Sequence, residues 1–312
     1  MSTHAEDSQV PQVGPAPAAA QPSARLGAIL LALSILAIAW FFAVLVRDAE
    51  ASDFTRVDPS LSRVDFGPGW VDPRWAELVS TRLAALDDSI ADDPQTRLAI
   101  EDALLELPFV AELGGTRVVW PDGVCAAVRL RVPVACVRAG EQFLVVSEEG
   151  VVLPGLWSAP PAREQGYLPL LALDEGSRSE VREGGVLTSA AAVDGLSVAA
   201  ALWRELGPDD WARLARIVID AREARLATVE IPGTVLLLEN GRRVYFGRSP
   251  NLDAPGELPI AHKCASLARA LRLPESADAP LDWELADVRW DRAEVLPRGG
   301  LDDQGRRAPK SH

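Results

Sequence analysis

Side chains suited to acid–base or nucleophilic chemistry are few in this 312-residue chain, and they lie far apart. His4, His262 and His312 are its only histidines, and the outer two sit in the terminal stretches. That leaves His262 as the sole candidate base in the body of the chain, with a helix-surface position as the simpler reading. No serine occupies a Gly-x-Ser-x-Gly elbow, and no Gly-x-x-x-x-Gly-Lys loop offers a phosphate cradle. His262-Lys263-Cys264 is too compact to hold a metal without distant partners, and no His-x-x-x-His pair occurs. Asp87-Asp88 and Asp92-Asp93 carry the charge a cation would need, yet a solvated link between two helices explains them as well. Cys125, Cys136 and Cys264 are too few for a disulfide scaffold and are not spaced as a zinc site. Cys125 and Cys136 fall on neighbouring expected strands, where either a bridge or two small buried hydrophobes would fit. The sequence therefore predicts no catalytic residue, no metal site and no cofactor.

Composition narrows the class further. Hydrophobic residues make up 48% and charged residues 24%, which excludes a wholly disordered or collagen-like chain. Acidic residues outnumber basic ones by 45 to 31, so the cationic surface that nucleic-acid binding requires is lacking. Of the basic residues only Lys263 and Lys310 are lysine, a bias we read as compositional.

The apolar run from Leu26 to Val46 has no charge and spans roughly 30 Å as a helix, the thickness of a bilayer core. Arg25 and Arg47 close its ends, and we expect a transmembrane helix over 25–47 with residues 26–46 in the lipid. Its length favours an uncleaved anchor; Ala49-Glu50-Ala51 keeps a cleavable signal open as the other reading. Arg25 precedes the span while Arg47, Arg56 and Arg63 follow it, which alone would turn the large domain to the cytoplasm. Asp48, Glu50, Asp53 and Asp58 surround those arginines, so charge leaves the orientation open. Residues 1–24, rich in proline and alanine, read as a disordered tail; 48–60 read as a linker and 298–312 as a flexible end.

Two units are expected between these segments. The first, 61–138, begins with a strand at Leu61–Phe66 and a helix started by Asp72-Pro73, with Trp75, Leu78, Val79, Leu83 and Leu86 on one face. A second helix starts at Asp93-Pro94, carries Leu98, Ile100, Ala103, Leu104 and Leu107, and stops at Pro108. Strands at Arg117–Trp120 and Val124–Val132 flank a turn at Pro121-Asp122-Gly123, completing a β-α-α-β-β order. The second unit, 139–297, is a mixed β-rich domain. Its strands are expected at 142–146, 151–153, 168–171, 215–219, 227–231, 235–239 and 243–247, with one last strand over Leu285–Leu296. Helices are expected at 196–206, 209–214 and 262–271, and Asn240-Gly241 predicts a type I′ hairpin turn. Charged positions alternate along Val288–Leu296, as in a blunted sheet edge or a docking edge.

A spaced series of motifs runs through both units. It comprises Leu107-Pro108-Phe109-Val110, Trp120-Pro121, Arg131-Val132-Pro133-Val134-Ala135, Glu149-Gly150-Val151, Leu168-Pro169-Leu170-Leu171, Leu238-Glu239-Asn240-Gly241 with Gly247-Arg248, and Asp287-Val288-Arg289-Trp290. In this order, behind one apolar helix, the series resembles the bacterial cell-division FtsQ (DivIB) family. The resemblance implies an α+β protein with a POTRA-like domain, an FtsQ-type β domain and no catalysis. It implies a bitopic scaffold of the divisome in the cytoplasmic (inner) membrane, its large domain extracytoplasmic and enriched at the septum. Its partners would be FtsB- and FtsL-type single-span proteins, added by β-augmentation at the last strand. Asp287, Val288, Arg289, Trp290, Asp291, Arg292, Glu294 and Val295 would form that site, with Arg289 and Trp290 as anchors. Other division proteins would dock on the POTRA-like sheet around Val118–Val132. Two other classes keep the same layout: a POTRA-bearing protein of secretion or outer-membrane assembly, and a membrane-anchored enzyme. Septal fluorescence of a tagged chain separates the first from division, and loss of function in a folded His262→Ala variant would favour the second.

Overall fold

A computed structural model describes residues 24–51, 56–86, 89–90, 94–119, 123–164, 166–252, 256–276, 281–291 and 293–299. The acidic cluster, the cap at Asp93, Trp120-Pro121-Asp122, Arg292 and the tails at 1–23 and 300–312 lie outside these residues, whereas Arg298, expected in the flexible end, is described. The chain divides into two compact units, 1–55 and 56–312.

The first unit holds one helix, α1 (Ala24–Ala51), which contains the apolar stretch Gly27–Asp48. Its side chains are exposed along that stretch, which is long and apolar enough to cross a membrane. Ser34 donates its hydroxyl to the Leu30 carbonyl (2.9 Å), so the one hydroxyl within the apolar run is satisfied inside the helix. The helix continues unbroken through Ala49-Glu50-Ala51.

The second unit opens with β1 (Arg56–Val57), a 3-10 turn at Pro59–Leu61 and β2 (Arg63–Asp65). Part of the stretch expected as linker is thus ordered, because β1 pairs with β3 (Ser89–Ile90) between the two helices. α2 (Pro73–Leu83) is capped by Asp72, whose Oδ1 accepts the Arg74 N–H at 3.0 Å, and Pro73 fills the first helical position. α3 (Pro94–Leu105) follows, then β4 (Val110–Val119) and β5 (Gly123–Leu130). With β1 and β3 set apart as their own two-stranded sheet, the predicted β-α-α-β-β order holds, and the sheet order is β2-β5-β4. β4 starts at Val110, seven residues before its expected start, because bulges around Gly114-Gly115 carry the ladder through a pair of glycines. Leu78 and Leu98 were expected on the buried helix faces but are exposed; Trp75, Val79, Leu83, Ile100, Ala103 and Leu104 fill the core.

β6 (Pro133–Ala139), β7 (Gln142–Ser147) and β8 (Val152–Trp157) form a meander, followed by the small hairpin of β9 (Ala162–Arg163) and β10 (Gly166–Tyr167). β11 (Leu170–Leu171), α4 (Glu175–Arg178), α5 (Ala190–Glu205), α6 (Pro208–Leu214) and β12 (Ile217–Asp220) come next. β13 (Thr234–Leu238), β14 (Arg243–Gly247), α7 (Ile260–Arg272), β15 (Trp283–Asp287) and β16 (Glu294–Pro297) complete the chain. Nine strands make one sheet, in the order β16-β15-β14-β13-β12-β11-β6-β7-β8. Within it β11 runs parallel to β12 and β14 parallel to β15. β11 is also parallel to its other neighbour, β6, and the three crossovers that parallel neighbours need are the β7–β10, α4–α6 and α7 segments.

The sheet is buried on both faces over β6–β8. Ala135, Val137, Leu144 and Val146 pack beneath the helices, while Cys136, Val145 and Leu153 pack into the core of α2, α3, β4 and β5. β6 belongs to the large sheet, so the change of sheet falls at Arg131–Val132, ahead of the expected boundary at 138.

Three expectations are corrected. The segment Ala227–Ile231 is no strand: it follows a 3-10 turn at Ala224–Leu226, and three of its carbonyls bind a guanidinium instead of a ladder. Leu285–Leu296 is two antiparallel strands, because the chain reverses between Asp287 and Glu294. The Asn240-Gly241 connection is no type I′ turn, since Gly241 alone has positive φ (84°) and Asn240 instead accepts the Arg242 N–H on its side chain at 3.1 Å. α5 also begins earlier than its apolar pattern suggested, at the cap formed when Ser189 Oγ accepts the Ala192 N–H.

Candidate partner-docking edge

The nine-stranded sheet has two edges, and they differ. Along β8 the outer backbone groups are taken: Gly184 N–H donates to Val152 O (2.8 Å) and Val152 N–H to Gly185 O (2.8 Å). Further along, Gly155 N–H reaches Glu183 Oε1 (2.9 Å), and Arg74 Nη1 donates to Leu156 O (3.1 Å). β16 closes the other side; it pairs with β15, and no further strand lies beside it among the described residues. An edge strand of this kind is where a further strand can pair. The edge is short, and Pro297 at its end cannot donate. Its far end is fixed by Arg298, whose N–H and Nε bond Asp282 at 3.1 and 2.8 Å. Hydrogen bonds from Arg242 and then Arg298 hold the Asp282 carboxyl below its usual range.

The expected site residues separate into two groups. Asp287, Val288 and Arg289 face inward, each buried. Arg289 donates Nε to Asp287 Oδ1 (2.9 Å) and Nη2 to Oδ2 (2.8 Å). Its Nη1 also reaches Thr228 O (2.6 Å) and Ile231 O (3.2 Å), and Nη2 reaches Val229 O (3.3 Å). This guanidinium is saturated inside the chain, so it holds the 228–231 loop rather than projecting outward as an anchor. Trp290 is 37% exposed, and Asp291 and Glu294 are exposed, with Val295 half-buried on β16. Arg292 lies outside the described residues. Exposed Val229 lies on the segment that Arg289 grips, and exposed Leu226 lies in the 3-10 turn before it. Sequence reasoning missed Val229 because Ala227–Ile231 has the composition of a strand.

Behind the edge, Gly247 takes φ 85°, and a Cβ there would sit 2.8 Å from Glu257 Oε2 and 3.1 Å from Arg289 Cγ. Glu257 is occupied in turn by Lys263 Nζ (2.5 Å) and by the Arg248 N–H (3.0 Å). The glycine–arginine pair of the motif series thus closes β14 onto a buried ion pair. Gly247→Ala should cost at least about 1–2 kcal/mol from the left-handed backbone alone, read as a lower urea midpoint. An unchanged midpoint would show that β14 can end in another conformation.

The remaining candidates are dispersed. His262 is exposed on α7. Burial pushes the Cys136 and Cys264 thiols up to about 12, which leaves them protonated and unreactive at neutral pH. All three cysteines are free, with Cys125 half-buried. Among the described residues no group of three or more His, Cys, Asp or Glu side chains gathers in a metal-holding arrangement.

No protein-family model matches the chain, and no curated protein does. Among solved structures the chain is similar to the major extracytoplasmic domain of the trans isomer of the bacterial cell-division protein DivIB from Geobacillus stearothermophilus. The likeness has 15% sequence identity and a TM-score of 0.25, over 46% of this chain and 91% of that one. At that score it carries no argument about this chain.

Proposed function

We propose that the chain is a non-catalytic scaffold of bacterial cell division, anchored by α1, that adds a strand of a single-span FtsB- or FtsL-type partner to β16. The observation that carries this reading is the asymmetry of the large sheet, whose β8 edge is covered while β16 has no strand beyond it among the described residues. The motif series that resembles the FtsQ family supports it, since its last member leads directly into this edge. Recruitment of such partners would link septum assembly to peptidoglycan synthesis, with the large domain extracytoplasmic and the protein enriched at the septum. Trp290 supplies an exposed aromatic beside the added strand.

In vivo photo-cross-linking from a reactive amino acid at position 295 tests the reading. Capture of small single-span coiled-coil proteins is expected; capture of a secretion or barrel-assembly component would replace the function. Trp290→Ala is expected to weaken that partner by about 1–2 kcal/mol, roughly tenfold in affinity, with the unfolding midpoint unchanged. An unaltered affinity would remove Trp290 from the interface.

A further inference from the structure

In the small sheet the last residues of β5 pair with β4 on one side and, among the described residues, have no strand beside them on the other. β2 pairs with β5 only from Arg63 to Asp65, opposite Cys125–Ala127, while β5 continues to Leu130. Gly67, at φ 61° and with its N–H donated to Asp65 Oδ1 (2.9 Å), turns the chain out of the ladder. Beside Val128–Leu130 this opens a groove of about 390 Å³, with Phe66, Trp70, Val128, Leu130 and Val132 among its walls.

Arg129, Arg131 and Arg163 are the charged residues of that wall, and Arg163 differs from the other two in its partners. Its Nη1 donates to Pro133 O (2.7 Å), and its guanidinium lies over the Trp203 ring at 4.4 Å. Arg129 and Arg131, on the same rim, each pair with a carboxylate, Glu112 and Glu149 respectively. Arg163 has no carboxylate within ion-pairing distance among the described residues. Burial outweighs the nearby Glu164 and pushes its guanidinium below the usual arginine range.

We propose that this groove binds an extended acidic segment of a partner protein, added as a short strand beside Val128–Leu130 with one carboxylate on Arg163. The open ladder specifies an extended backbone, because its N–H and C=O groups lie a strand's width from any added chain. Three residues at about 3.3 Å each span roughly 10 Å, so the paired stretch is short. Apolar side chains of the segment would face Phe66 and Trp70. A carboxylate would satisfy the half-buried charge through charge-assisted hydrogen bonds, which a neutral side chain cannot match. The inference is independent of the β16 edge and of any role in division.

Full-length chain in detergent micelles, titrated with a fluorescent pentapeptide alternating valine and glutamate, provides the test. The glutamate peptide is expected to bind at least about tenfold tighter than its valine–glutamine counterpart. Arg163→Gln should abolish that preference, and bound peptide should slow hydrogen exchange at the amides of Val128–Leu130. Val132→Asp, at an exposed wall position that leaves Arg163 on Trp203, should weaken the glutamate peptide by a similar factor. Equal binding of the two peptides, or unchanged exchange at those amides, would overturn the proposal. A tenfold gain on deleting residues 301–312 would make the chain's own end the occupant and overturn the partner assignment.

Discussion

Asp287→Ala is expected to lower the unfolding free energy of the 56–312 unit by about 3–5 kcal/mol, the usual cost of removing one partner of a buried ion pair. Both side chains of the Asp287–Arg289 pair are about 5% exposed, so water cannot replace the lost carboxylate. Arg289 would keep its carbonyl partners at Thr228, Val229 and Ile231, but its charge would be left uncompensated. Urea unfolding of the detergent-solubilised chain measures the loss. The double variant Asp287→Ala with Arg289→Ala should be less destabilised than the sum of the single changes, because the uncompensated charge disappears with it. A loss below about 1 kcal/mol for Asp287→Ala would mean that the turn relaxes and hydrates the guanidinium. The result also governs tests of the docking edge, since Arg289→Ala would weaken a partner by unfolding β15 and the 228–231 loop. Trp290 separates recognition from stability, and Arg289 does not.

Trp75→Ala should have a comparable effect, about 3–5 kcal/mol, through a cavity in the other hydrophobic core. Trp75 is fully buried, lies parallel to Phe109 with ring centroids 4.7 Å apart, and meets Trp70 edge-on at 5.4 Å. Its indole N–H donates to Pro154 O on β8 (3.1 Å), so it ties the helix layer of the small sheet to the edge of the large one. Trp75→Phe retains much of the volume and loses the hydrogen bond, leaving the Pro154 carbonyl without that donor. A smaller loss, about 1–3 kcal/mol, is expected there. Hydrogen exchange should report the alanine change at both β8 and α2 if the two sheets unfold together. Exchange confined to α2 and its sheet would show that the two layers open separately.

Much of the architecture was legible in local sequence, for identifiable reasons. Asp72-Pro73 marked the start of α2, because a carboxylate cap and a fixed φ act within one turn of chain. The apolar run at Leu26–Val46 specified a bilayer-length helix without reference to any other segment. The β-α-α-β-β order followed from periodicity and from Pro108. Gly114-Gly115 hid the first half of β4, since its ladder survives there through bulges rather than through strand-forming side chains. Leu78 and Leu98 looked buried because periodicity identifies a helix face but not how far the neighbouring layer covers it.

The candidate site shows the same division more sharply. The sequence by itself determined a mixed α+β chain behind one apolar helix, an acidic balance unsuited to nucleic acid, and a charged aromatic segment near residue 290. Those properties depend on composition, hydrophobic spacing and nearest-neighbour backbone preference, all of which act along the chain. Only the tertiary structure decided that Val288–Leu296 reverses, that Arg289 is saturated by a loop some sixty positions away, and that among the described residues β16 rather than β8 is the edge with no strand beyond it. Arginine followed by tryptophan reads identically whether it points to water or to a buried carboxylate. What separates the two cases is the position of the Thr228, Val229 and Ile231 carbonyls, and long-range packing sets that position.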